Sequence, residues 1–217
     1  MKKQILFGMV IMVFFSGCAW FEHQEEKTAH ELISDGISAY RDGDYKDALE
    51  SFEKLKDWYP FSKYAILAEL KIADAHYELG QYDEAVIAYE DFENLHPRNE
   101  AIPYIIYQIG SCYFEQIETV DRDQNNAKKA FITFNRLKKQ FPDSIYAVKA
   151  RENIKQCLKS LAGHELYVGL FYYKSKHYKA ALDRFKSIIT NYADVGIHNE
   201  ALKHIVLCET TIKEETK

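Results

Sequence analysis

Proline and glycine are scarce in this chain, four and nine among 217 residues. Both punctuate turns and loops, so their scarcity leaves little room for long connections. No low-complexity linker divides the body into separate domains. No strand pattern is present, and with it no glycine-rich phosphate loop following a strand. Basic residues form no block. The formal charge is −5, from 28 Lys and Arg against 33 Asp and Glu, and a mildly acidic chain of this kind offers nothing to nucleic acid. The eight histidines are scattered singly. His164-Glu165 begins a zinc-like string, but Val168 stands where the second histidine is needed. Carboxylates are abundant, yet solvated helix faces account for them without a paired acid and base. The chain is therefore expected to be no enzyme and to hold no metal or cofactor.

What is present is a phrase that repeats in register. A small residue is followed four positions later by an aromatic and eight beyond that by a proline: Ala48, Phe52, Pro60; Ala85, Tyr89, Pro97; Ala130, Phe134, Pro142. A fourth copy reads Ala181, Phe185, with Ala193 in the place of the proline. Upstream, Gly36, Ala73 and Gly169 each lie 12 before the small residue, and Gly110 keeps the pattern with eight extra residues inserted. Small residues at fixed points let two antiparallel helices approach closely. The aromatic is expected to fill the gap between neighbouring repeats, and the proline ends the second helix because it cannot donate the next backbone bond.

This pattern resembles the tetratricopeptide repeat, whose period is about 34 residues. The expected fold is all-α, a solenoid of helical hairpins with about nine helices and a concave surface for other proteins. Helices are expected over about 29–41, 45–57, 63–79, 82–95, 101–117 and 125–140. Gly43-Asp44, Gly80-Gln81 and Asp123-Gln124-Asn125 supply the helix stop or N-cap between members of a pair. After Pro142 the regularity breaks. Either one long helix runs to about Lys174, or two meet at Ala162-Gly163; one long helix is preferred because a single internal glycine costs only about 1 kcal/mol. A last helix, about 197–213, caps the solenoid.

The N-terminus addresses the chain. Lys2 and Lys3 precede an apolar run from Ile5 to Phe15, long enough for a secretory signal and too short to span a bilayer as a lasting anchor. The run ends Phe15-Ser16-Gly17-Cys18, which resembles the bacterial lipobox, although the usual Leu is replaced by Phe15. That resemblance implies a signal peptide over 1–17, acylation of Cys18, a polar tether over 18–27 and the solenoid over 28–217. Several acyl chains hold far more firmly than one, since each buried methylene contributes about 0.8 kcal/mol. Ala19, rather than Asp, follows the cysteine, which by the same resemblance implies the periplasmic face of the outer membrane. Removing 1–17 takes two lysines and leaves a formal charge of 26 minus 33, or −7. Cys112, Cys157 and Cys208 remain, an odd and widely spaced set, expected as buried small hydrophobes rather than a disulfide framework.

Five phrases carry a closer resemblance: Tyr59-Pro60-Phe61-Ser62-Lys63-Tyr64-Ala65; His96-Pro97 running into Ile102 to Tyr107; Thr119-Val120-Asp121-Arg122-Asp123-Gln124; Phe141 to Ala147; and His164-Glu165-Leu166-Tyr167-Val168-Gly169. In their order, and with the lipobox, they resemble the BamD (ComL) family of outer-membrane assembly lipoproteins. The Asp-Arg-Asp-Gln insert is the most specific of them. The resemblance implies a non-enzymatic subunit of the β-barrel assembly (BAM) machine. Such a subunit binds the BamA barrel protein and unfolded outer-membrane proteins, with other BAM lipoproteins as further partners. By position, Arg184 matches a family arginine implicated in docking to BamA, and Asp121, Arg122 and Asp123 are candidate partner contacts or an internally paired loop cap. Pro60, Phe61 and Tyr64, in the turn between the first two repeats, are candidates for substrate binding or simply the wedge between repeats. A periplasmic repeat protein that coordinates cell-wall synthesis or division is the alternative function.

Overall fold

A computed structural model describes residues 26–216. The apolar run, Cys18 and most of the expected tether lie outside the described residues. Among the described residues the chain forms nine α-helices and no strand. They are α1 (Ala29–Asp42), α2 (Tyr45–Trp58), α3 (Ala65–Glu78), α4 (Tyr82–Leu95), α5 (Ile102–Glu115), α6 (Asn125–Gln140), α7 (Ile145–Lys174), α8 (Tyr178–Asn191) and α9 (His198–Glu215). Successive helices pack on one another, with the first half of α7 against α6 and its second half against α8. This is the hairpin solenoid expected from the repeat, and α7 is the single long helix.

The repeated phrase builds the core of each hairpin. Ala48, Ala85, Ala130 and Ala181 are fully buried, as are Phe52, Tyr89, Phe134 and Phe185. Each buried aromatic is worth about 2–3 kcal/mol. The rings reach the next repeat, as where Tyr89 stands edge to face with Tyr104 at 6.4 Å and Phe185 meets His204 at 5.0 Å, and they also seat on the first helix of their own hairpin. Phe52 packs against Gly36 of its own hairpin, where a Cβ would come within 2.4 Å of the ring; Phe134 on Gly110 and Phe185 on Gly169 repeat the arrangement at 2.6 Å. In the second hairpin Ala73 carries the methyl that the glycines lack, and the ring there is Tyr89.

The turns inside the hairpins depend on backbone rather than on side-chain caps. Gly43 and Gly80 are left-handed, at φ 87° and 70°, while Asp44, Gln81 and Gln124 make no side-chain cap hydrogen bond. Genuine caps occur elsewhere, in the Thr28–Glu31 capping box of α1 and at Ser144, which accepts from Tyr146 N. A tyrosine pair brackets three of the four hairpin turns edge to face: Tyr40–Tyr45 at 5.2 Å, Tyr77–Tyr82 at 5.5 Å and Tyr173–Tyr178 at 5.6 Å. At the last of them Lys176 takes the glycine's place with φ 61°. A left-handed non-glycine residue is strained by about 1 kcal/mol, partly offset by the freedom glycine has in the unfolded chain. Lys176→Gly is therefore expected to raise stability by about 0.5 kcal/mol, read as a higher urea midpoint at unchanged slope; a lower midpoint would refute the strain.

Candidate functional site

Between α5 and α6 the eight-residue insert forms an ordered loop seated on the middle of α7. Gln124, almost fully buried, organises it. Its Nε2 donates to the carbonyls of Thr119 and Arg122, both at 3.1 Å, and its Oε1 accepts from Ser160 Oγ of α7 at 2.6 Å. His164 Nδ1 meets the carbonyl of Val120 at 2.6 Å, a contact that requires the proton on that nitrogen. Gly163 completes the seat, for a Cβ there would come 2.9 Å from Val120 Cγ1. The internal glycine does not break α7; it makes room for the insert. Asn126 Nδ2 donates to the Gln116 carbonyl at 3.2 Å, and Asp123 accepts from Asn125 N at 2.6 Å, tying down the loop's two ends.

Asp121, Arg122 and Asp123 stand exposed on this loop. They do not pair internally: among the described residues none of the three takes part in an ion pair. Amides and hydroxyls hold the loop, and its charges face outward. The Thr119 hydroxyl, with the loop backbone, lowers the Asp121 carboxyl below its ordinary value. These three residues and Arg184, some sixty positions on, line one open cleft of about 510 Å³ together with Lys128, His164, Glu165 and Tyr192. Arg184 rises from α8, and its Nη1 donates to both oxygens of Glu165 at 3.2 Å. Glu165 is largely covered, at 15% exposure, whereas Arg184 keeps 44%. One nitrogen of the five-donor fork is engaged this way, which leaves donors for a partner. The cleft mixes both signs and hydrogen-bonding groups, a lining suited to a charged loop of another protein rather than to an apolar ligand.

The second candidate region is elsewhere on the molecule. Phe61 is fully exposed, Pro60 is exposed, and Tyr64 is half-buried with an edge contact to His30 and Lys63 over its ring. Directly after them a groove of about 710 Å³ opens across the N-terminal ends of α3, α5 and α7. Its wall includes Lys63, Ile66, Leu67 and Tyr146, and its floor is Asp74 with Tyr104. Asp74 is buried and accepts from the Tyr89 and Tyr104 hydroxyls, each at 2.7 Å, while Lys71 Nζ lies 2.8 Å away. Trp58, Phe61, Ile66 and Leu67 leave apolar surface exposed around this end.

The sequence pointed to Arg184 and the insert but missed Gln124, Ser160, Glu165 and Asp74 as the residues that fix them. A signal existed for Asp74, a lone acid in the apolar string Ile72-Ala73-Asp74-Ala75. Among the described residues no three His, Cys, Asp or Glu side chains gather as a metal site, and no helix is long and apolar enough to cross a membrane.

The model of a family of outer membrane lipoproteins, YfiO, matches residues 25–215. The outer membrane protein assembly factor BamD of Caulobacter vibrioides is 32% identical over 195 residues, which cover 89% of this chain and 64% of that protein. The corresponding factor of Rickettsia prowazekii is 31% identical over 205 residues, 91% of this chain and 80% of its own length. The chain thus spans just under two thirds of the first of these relatives. Among solved structures, the TPR2AB-domain:pHSP90 complex of yeast Sti1 superposes with a TM-score of 0.52 at 18% identity, over 74% of this chain and 63% of that one. That likeness concerns the helical-hairpin fold.

Proposed function

This chain belongs to the YfiO family of outer membrane lipoproteins, and on that premise we propose that it is a non-enzymatic subunit of the machine that assembles β-barrel proteins in the outer membrane. It is anchored by acylated Cys18, with residues 1–17 removed as a signal and 18–27 as its tether, and works on the periplasmic face. Its relatives carry the name of outer membrane protein assembly factors.

The observation that carries the reading is the cleft. Two of the phrases that carry the resemblance, Thr119–Gln124, which holds its most specific element, and His164–Gly169, pack against each other and frame Arg184. In this reading a BamA-like barrel protein docks there, offering a carboxylate that competes with Glu165 for the Arg184 fork, while Asp121, Arg122 and Asp123 contact the rim. Pro60, Phe61 and Tyr64, with the groove beside them, receive extended segments of unfolded barrel proteins, whose strands alternate aromatic and polar residues.

The test is recovery of partners by the full-length tagged lipoprotein from detergent-solubilised envelopes. A charge-assisted hydrogen bond contributes about 1.5–3 kcal/mol, so Arg184→Gln is expected to lower recovery of a BamA-like barrel protein at least tenfold. Glu165→Gln removes the competitor and should leave recovery equal or higher. Equal loss from both variants would mean the cleft is only structural. Cell-wall enzymes in place of a barrel protein would overturn the assembly reading in favour of the coordinator.

A further inference from the structure

The mild overall charge conceals a strong separation along the chain. Residues 26–124 hold 9 Lys and Arg against 22 Asp and Glu, a net −13, whereas residues 125–186 hold 14 against 4, a net +10. No run of more than two adjacent basic residues betrays it, because the cations are spaced over α6, α7 and α8. Of those 14 cations only Arg136, Arg184 and Lys186 join an ion pair among the described residues. The rest are predominantly lysines, and Lys128, Lys129, Lys138, Lys139, Lys155 and Lys159 are all exposed on the adjoining helices α6 and α7. Exposed apolar side chains stand among them: Ile132 at 65%, Ile145 at 64% and Val148 at 51%.

We infer that the α6–α7 surface is an electrostatic contact for anionic phospholipid head groups, a second hold on the membrane besides the proposed acyl anchor. Three features favour lipid over an acidic protein. The free cations are point charges on flexible stems, whereas among the arginines, the residues suited to a fixed bidentate carboxylate, Arg136 already holds Glu93 through two nitrogens and Arg184 belongs to the cleft described above. A diffuse lysine surface with isolated aliphatic side chains matches a fluid phosphate layer, where cations bind head groups and Ile or Val enters the interface. The acidic half is repelled by the same surface, so the charge separation orients the solenoid as well as attracting it. Each Lys near an anionic bilayer raises affinity roughly fivefold, and a tether turns even a weak contact into an effectively intramolecular one. This inference does not depend on the Arg184 docking reading.

The test uses residues 18–217 with Cys18→Ser, which keeps every described helix and carries no acyl group. Flotation with vesicles of phosphatidylcholine alone is compared with vesicles containing phosphatidylglycerol. Binding is expected to the anionic vesicles, at low salt and not at high salt. Reversing Lys128, Lys129, Lys138 and Lys139 to Glu should weaken it at least tenfold. Reversing Lys46, Lys54, Lys56 and Lys63, an equal charge change in the acidic half, should weaken it no more than twofold. Equal losses from both sets, equal binding to neutral vesicles, or binding only to an acidic protein domain through the same lysines would each overturn the inference.

Discussion

Replacing Asp74 by alanine is expected to lower the stability of the solenoid by about 3 kcal/mol, a fall of about 6–12 °C in melting temperature for a chain of this size. The carboxylate sits on α3 at 3% exposure and accepts hydrogen bonds from the hydroxyls of Tyr89 on α4 and Tyr104 on α5, so it joins the second hairpin to the third. Alanine leaves the fully buried Tyr89 hydroxyl with only a long 3.4 Å contact from Gln108. An orphaned buried donor costs about 1–3 kcal/mol, while removing both partners of a bond can be nearly neutral. Tyr89→Phe in the Asp74→Ala background should therefore restore about 1 kcal/mol, and Asp74→Asn, which keeps an acceptor, should fall between. If Asp74→Ala melted with the wild type, or if Tyr89→Phe cost the same in both backgrounds, the network would carry no cohesion. Because Asp74 and Tyr104 also floor the N-terminal groove, the same variant tests whether that groove needs its rigid base to receive unfolded chains.

The hairpins were readable in the sequence because their cause is local. A ring at one position needs a missing or minimal side chain at a fixed distance upstream, and Gly36 with Phe52, Gly110 with Phe134 and Gly169 with Phe185 leave that spacing in the chain. The proline phrase likewise marks helix ends by a backbone rule. That the rings seat on their own hairpin as well as reaching the next repeat is a matter of three-dimensional registry that spacing alone does not show. The cleft was visible only in parts. Arg184 and the insert stood out by resemblance, but Glu165, Ser160 and Gln124 are ordinary helix and loop residues until α7 brings them together. Contacts across 36 and 44 positions, Gln124 to Ser160 and Val120 to His164, follow no periodicity. The insert's charges invite an expectation of internal pairing, yet an amide that satisfies two carbonyls at once closes the loop without spending its charges, which is what leaves them available at the rim.

Stability is expected to decline steeply once the pH rises above about 8.5. Cys112 and Cys157 are fully buried, and that burial pushes each thiol up to about 12. In the unfolded chain a thiol ionises near 8.5, and from that pH upward the unfolded state binds fewer protons than the folded one, so each pH unit removes about 1.4 kcal/mol per group. The two thiols together should take away about 2–4 kcal/mol by pH 10. Beyond pH 10 the hydroxyls of Tyr89 and Tyr104 add to the decline. Burial first, and then the Asp74 charge beside them, raises both well above their ordinary value. Urea midpoints should thus be level below about pH 8 and drop between about pH 8.5 and 10, with a shallower drop in the Cys112→Ala, Cys157→Ala double variant. Parallel profiles for the wild type and the double variant would remove the thiols as the cause. The same burial bears on the proposed address. Oxidation needs the thiolate, and a thiol held buried as SH can persist unpaired in an oxidising compartment.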